Sequence, residues 1–336
     1  MVDVAPSQPA RNATVRTGAV ILAVLALTAG LLRVLGPGRI AWIQAFLIVF
    51  GSLLVQAMPF VLVGALASAA IEVFVPVNTL ERLAGLPRPL QLPAAALAGV
   101  AFPICECGSV PVARRLAARG LTPSAAVTFM LAAPVLNPVV IASTFVAYRT
   151  RSSLWTMVIG RFALGMLVAV VVGWVVGTRS KDEVLRPRPD EPHAVLVEPA
   201  PPEARWRRFF FHTANDFLFM GRFLLAGAAA AAMVQTFLPA SFVSNVAGTP
   251  VLDIAVMIGL ATVLSLCSES DAFVAASFVQ FGPAAQLAFL VSGPMIDLKL
   301  GALYAGTFRR GFLPMLVVTV FATTLVGAMW VMVVAG

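Results

Sequence analysis

A chain of 336 residues that is 60% hydrophobic and 11% charged, with a mean hydropathy of +0.95, is not a soluble globular domain, which carries about 25% charged residues. The net charge of +8 does not imply nucleic acid, because most basic residues lie in short connections between apolar runs, where they set membrane orientation. Three cysteines exclude a disulfide framework.

In chain order, residues 1–17 are polar, with Pro6, Pro9, Arg11 and Arg16, and are expected to form a disordered cytoplasmic arm. Residues 18–35 predict an extra N-terminal span that is retained, since no small-residue cleavage site follows. A long span at 41–73 contains Gln44, Gln56 and Pro59, and a polar link occupies 77–92. The apolar pieces 93–104 and 110–119 flank Phe102-Pro103-Ile104-Cys105-Glu106-Cys107-Gly108-Ser109-Val110-Pro111. Each piece is short of the about 20 residues that span a bilayer. Together they predict one broken span or a re-entrant hairpin whose irregular backbone lines a cavity.

The apolar run 121–147 is interrupted at Ala133-Pro134-Val135-Leu136-Asn137-Pro138, and 154–177 is a plain span apart from Arg161. A Pro-rich, charged linker at 178–213 separates two halves, 41–177 and 214–336. The second half has a span at 214–238, a neutral loop at 239–250 and an apolar piece at 251–266. The cluster Ser265-Leu266-Cys267-Ser268-Glu269-Ser270-Asp271 follows, running on to Val279. A run at 284–306 is broken by Ser292-Gly293-Pro294-Met295-Ile296-Asp297-Leu298-Lys299, and the last span is 312–334.

The halves repeat each other. Phe60-Val61-Leu62-Val63-Gly64 matches Phe223-Leu224-Leu225-Ala226-Gly227 at an offset of 163, Cys105 matches Cys267 at 162, and Pro134 and Asn137 match Pro294 and Asp297 at 160. Paired interrupted segments in two halves point to a transporter site. If both cysteine segments are hairpins, the arginines at 82–88, 114–119, 178–210 and 309–310 share the cytoplasmic side with the N-terminus. The fold expected is therefore an all-α polytopic membrane protein with seven full spans. It is an inverted repeat of three spans plus one re-entrant or broken cysteine-bearing hairpin, preceded by the extra span. A nine-span arrangement with parallel repeats is the alternative.

The candidate site is the meeting of the two hairpin tips. Cys105, Glu106, Cys107 and Ser109 come from the first, Cys267, Glu269 and Asp271 from the second, and Asn137 and Asp297 from the broken helices. Ionisable residues inside a membrane face a pathway or a partner; for Asp297 the bland reading is an ion pair with Lys299. Thiols select soft ions, so Cys105, Cys107 and Cys267 are candidate metal or metalloid ligands. The two cysteines of the first tip converge if the chain turns at Gly108.

The Pro103–Pro111 motif, Ala133–Pro138 and Ser292-Gly293-Pro294-Met295 together resemble the bacterial predicted-permease family that includes the organoarsenical efflux permeases. The similarity covers about 41 to 334. It implies a multi-pass protein of the bacterial cytoplasmic membrane, not an enzyme, with no cofactor and with Cys105 and Cys107 as thiol ligands. Cys267-Ser268-Glu269 departs from a second copy of Cys-Glu-Cys.

The function expected is secondary export of a thiophilic metalloid or soft metal species, such as a trivalent organoarsenical, coupled to protons. The alternative is transport of a sulfur-containing anion or other small solute. No Gly-rich nucleotide-binding loop is present, which argues against ATP hydrolysis. The expected partners are the small-molecule or metal(loid) substrate, the lipid bilayer and a second copy of the chain, and no nucleic acid.

Overall fold

The structure, a computed structural model, describes residues 41–74, 84–101, 104–187, 202–237 and 250–335. The predicted arm at 1–17, the predicted span at 18–35, part of the linker (188–201) and nearly all of the neutral loop lie outside the described residues.

The described residues are all helical apart from turns and one isolated backbone bridge, Leu185 to Phe308. The first half contributes α1 (Ala41–Phe74), α2 (Arg88–Ala101), α3 (Glu106–Ala118), α4 (Pro123–Leu136), α5 (Pro138–Tyr148) and α6 (Leu154–Val176). The short α7 (Lys181–Val184) follows, and the second half contributes α8 (Pro202–Phe237), α9 (Pro250–Leu264), α10 (Asp271–Ser277), α11 (Pro283–Ser292), α12 (Leu298–Thr307) and α13 (Phe312–Ala335). Among the described residues five segments are long and apolar enough to cross a membrane: α1, α4 with α5, α6, α8 and α13. This is an all-α polytopic membrane protein. The α4–α5 segment is 78% buried, against 22% for α1 and α13, so the broken helix is central and the plain spans turn apolar faces outward.

The helix breaks follow from local chemistry. Pro138 lacks an N–H and biases the preceding residue away from helical backbone. Asn137 accordingly adopts φ −54°, ψ 131°, ending α4 and capping α5 by accepting from the Val139 N–H at 2.9 Å. In the second half Asp297 caps α12 by accepting from the Leu300 N–H at 2.6 Å. Helix α8 begins at Pro202, earlier than the span expected at 214, because Pro at the start and the polar run through Arg208 extend the helix beyond its apolar part.

The cysteine segment of the first half packs against α1 and α4. Helix α2 starts beside the start of α4, where Thr122 donates to Gln91 at 3.0 Å, and Gly99 packs on Ala133 further along. Helix α3 ends at that same place, in a tight turn through Gly120 (φ +105°) into α4. Both ends of the segment therefore lie at one end of the molecule. Helices α1 and α3 run in parallel: Gly64 meets Gly108, Ser68 Oγ lies 3.4 Å from the Pro111 carbonyl oxygen, and Arg119 donates to the Ile71 carbonyl at 3.1 Å.

The matched long helices pair antiparallel across the halves. In α1 and α8, Trp42 stacks on Phe237 and Ser68 donates to Asp216 at 2.8 Å. In α6 and α13, Leu164 packs on Gly327, while Arg179, just past α6, reaches Met315 near the start of α13. Helix α3 contacts α12, and its counterpart α10 contacts α5. At one end Arg114 donates to the carbonyls of Thr307 (3.3 Å) and Arg186 (2.9 Å). That clamp joins the base of the first cysteine segment, the linker and the α12–α13 connection.

Candidate functional site

The two cysteine clusters meet in the interior. Glu106, in the first turn of α3 and 1% exposed, has both carboxylate oxygens engaged by the second half. Ser268 donates to its Oε2 at 3.0 Å, and the Lys299 ammonium donates to its Oε1 at 2.9 Å. Ser268 follows Cys267 as Glu106 follows Cys105, so this hydrogen bond joins matched positions of the two halves, 162 residues apart.

Around this bond the predicted residues fall into three groups. The first is the Glu106–Lys299–Asp297 cluster, in which Asp297 Oδ2 lies 3.5 Å from Lys299 Nζ. Lys299 thus partners Asp297, as the bland reading holds, but its shorter bond is to Glu106. The second group is the thiols. Cys105 and Cys107 are both 2% exposed and lie one residue apart at the start of α3. Gly108 is not what brings them together. Cys105 is the extended N-cap residue (φ −75°, ψ 173°) and Cys107 sits in the first helical turn, so the chain bends at the helix start. Gly108 instead lets α1 approach at Gly64. Cys267 is buried and donates to Glu269. The third group is Asp271, 2% exposed and held by Arg161 through bonds of 2.8 and 2.7 Å, with Thr144 on the same guanidinium.

Ser109 turns back to its own helix, donating to the Glu106 carbonyl at 3.0 Å, and Asn137 serves its cap. Among the described residues no group of three or more His, Cys, Asp or Glu side chains is arranged to hold a metal ion. Sequence reasoning passed over Ser268, gave Lys299 only as a partner of Asp297 and not of Glu106, and left Arg161 without a role at the site. The signals were there: Ser268 matches Glu106, and Arg161 is an isolated charge in an apolar span.

Taken together, interrupted helices, cysteine-bearing tips and buried charge inside a bundle of apolar spans define a membrane permease. The chain matches the family model for a predicted permease, ArsP_1, over residues 42–333, and it belongs to that family. Family membership makes it a permease rather than an enzyme. It is similar to UPF0718 protein YcgR of Bacillus subtilis (strain 168), 37% identical over 284 residues, covering 84% of this chain and 95% of that protein. It is also similar to the Streptococcus mutans serotype c (strain ATCC 700610 / UA159) protein named "Putative two-component membrane permease complex subunit", 30% identical over 273 residues, covering 80% of this chain and 88% of that one. These bacterial relatives place it in the cytoplasmic membrane as a multi-pass protein. No solved structure matches the chain.

Proposed function

We propose that the protein is a secondary active permease that exports a thiophilic metalloid or soft metal species, coupled to protons, through the centre where the two cysteine-bearing tips meet. The observation that carries this reading is the Glu106–Ser268 bond, with three buried thiols in the segments it joins.

The topology that goes with it is an inverted repeat. The antiparallel pairing of α1 with α8 and of α6 with α13 supports inversion, since these are matched elements. The Arg114 clamp favours it further. It holds the 114–119, 178–187 and 307–310 connections at one end, as two opposed re-entrant hairpins require. In the nine-span alternative 309–310 falls on the opposite side from the other two. With the positive-inside rule, that end and the N-terminus are cytoplasmic. The first repeat is then 41–177 and the second 214–336, joined by the linker at 178–213.

Charge favours a cationic or proton-linked cargo over an anion. Buried Arg161 neutralises Asp271, but Lys299 faces both Glu106 and Asp297, and half-buried Glu269 adds a further carboxylate. Helix N-termini attract anions, yet those at the site already carry Glu106, Asp271 and Asp297. Cys105 and Cys107, with Cys267 as a third thiol, supply soft ligands; Ser109 and Asn137 would have to leave their own-helix hydrogen bonds to contact cargo.

The test is uptake into everted vesicles of methylarsenite, arsenite, Cu(I), Zn(II) and thiosulfate, with and without a pH gradient. Gradient-driven accumulation of one thiophilic species, reduced at least about tenfold in a Cys105→Ala, Cys107→Ala variant, is the expected result, since removing both soft ligands costs more than about 1.4 kcal/mol. Movement of thiosulfate alone overturns the reading in favour of the anion. Copurification from the native membrane tests whether a second copy or a different partner subunit is needed, the latter prompted by the streptococcal relative's name.

A further inference from the structure

The surroundings of Lys299 go further than an ion pair. Its ammonium sits among four oxygens: Glu106 Oε1 at 2.9 Å, the Ser265 carbonyl at 3.1 Å, and the Leu266 carbonyl and Asp297 Oδ2 at 3.5 Å each. Two carboxylates and two backbone carbonyls around one point are the donor set that replaces a small cation's hydration shell. The oxygens come from three separate pieces: the first tip, the second tip and the break before α12.

Three further observations mark this as a built site. Ser265 has φ +47°, the only non-glycine residue with positive φ among the described residues, and it is fully buried. Such backbone is strained and persists where surrounding structure holds it; here it turns two successive carbonyls toward one point. Asp297 Oδ2 is buried with no hydrogen-bond partner, although it faces the ammonium. Gly227 of α8 presses on the Lys299 backbone, where an added Cβ would stand 2.6 Å from Cα, so the origin of the side chain is fixed. The matched position in the first half is Val139, so the duplicated framework does not require a cation there.

We propose that Glu106, Asp297 and the carbonyls of Ser265 and Leu266 form a site for a small monovalent cation, and that Lys299 fills it as a tethered cation. The proposal rests on the reading of the meeting tips as the transport centre, and it adds the identity of the ion that holds the closed tips together. The resident charge is covalently attached, so the wild-type protein binds no free alkali cation there. Withdrawal of Lys299 removes the cation that both tips share and leaves the Ser268–Glu106 bond between them.

The test uses the full chain in detergent and follows thermal unfolding in sodium, potassium, ammonium or N-methylglucamine chloride at constant ionic strength. The wild type is expected to unfold at the same temperature in all four. Lys299→Ala is expected to unfold earlier in N-methylglucamine, which is too large for the space, and to recover on the order of 5 °C, saturably, with at least one small cation. The double variant Glu106→Gln, Lys299→Met, which removes both charges, is expected to be indifferent to the salt. Lys299→Ala that folds but ignores all four cations overturns the proposal, as does failure of that variant to fold in every salt. A double variant that responds as the single one does places the effect elsewhere and overturns it too. No cargo is involved, so a wrong substrate assignment and a wrong cation site give different results.

Discussion

At the scale of single residues, three buried carboxylates each meet a cation from a distant part of the chain: Asp216 with Arg115, Asp271 with Arg161 and Glu106 with Lys299. Arg161 and Asp271 show the energetic stake. Both are buried, and they are joined by two short bonds. Removing one partner of a buried pair leaves an uncompensated charge, at a cost of about 3–5 kcal/mol. Arg161→Met should therefore lower unfolding stability in detergent by that order, and adding Asp271→Leu should restore most of it. If Arg161→Met unfolds like the wild type, the pair does not carry the load assigned to it. Glu106 could be picked out from sequence because it lies between two cysteines. Its partners lie 162 and 193 residues away; the repeat offset pairs Ser268 with Glu106, but no such match points from Glu106 to Lys299.

At the scale of elements, glycine contacts decide which helices can seat the site. Gly64 and Gly227, matched positions of the repeat, bring α1 onto Gly108 and α8 onto Lys299. Gly64→Val drives a side chain into the α3 backbone, which has no rotamer to relieve it, and is expected to abolish folded protein or transport. Gly51→Ala in the same helix meets nothing within 4 Å and should gain up to about 1 kcal/mol from helix propensity. Thermal unfolding and vesicle uptake of the two variants test this contrast; equal behaviour would contradict it. The interruptions were legible because proline and the residue before it act locally: the breaks at Asn137 and before Asp297 fall where the sequence puts them. Whether the cysteine segment crosses or doubles back was not legible, because α2 and α3 have the same lengths and composition in either case; contacts such as Gln91 with Thr122 support the proposed hairpin. The early start of α8 was missed for the opposite reason, since hydropathy marks where a helix becomes apolar and not where it begins.

At the scale of the whole molecule, the account holds that two homologous halves face each other in opposite orientations and that their tips meet at the axis between them. The same framework carries different chemistry in each half: Glu106 faces Ser268, Asn137 matches Asp297, and Val139 matches Lys299. On the proposed duplication, the centre carries unequal charges on its two sides. The most direct measurement places the exposed residues Glu183 and Gln280 on one side or the other of the membrane. Each is replaced singly by cysteine in a Cys105→Ala, Cys107→Ala, Cys267→Ala background and labelled with a membrane-impermeant thiol reagent in intact cells and in everted vesicles. Between these positions the inverted arrangement has one crossing and one hairpin, so Glu183→Cys should label only in everted vesicles and Gln280→Cys only in intact cells. Labelling of both from the same side would mean two full crossings between them and would contradict the opposed hairpins on which the transport site depends.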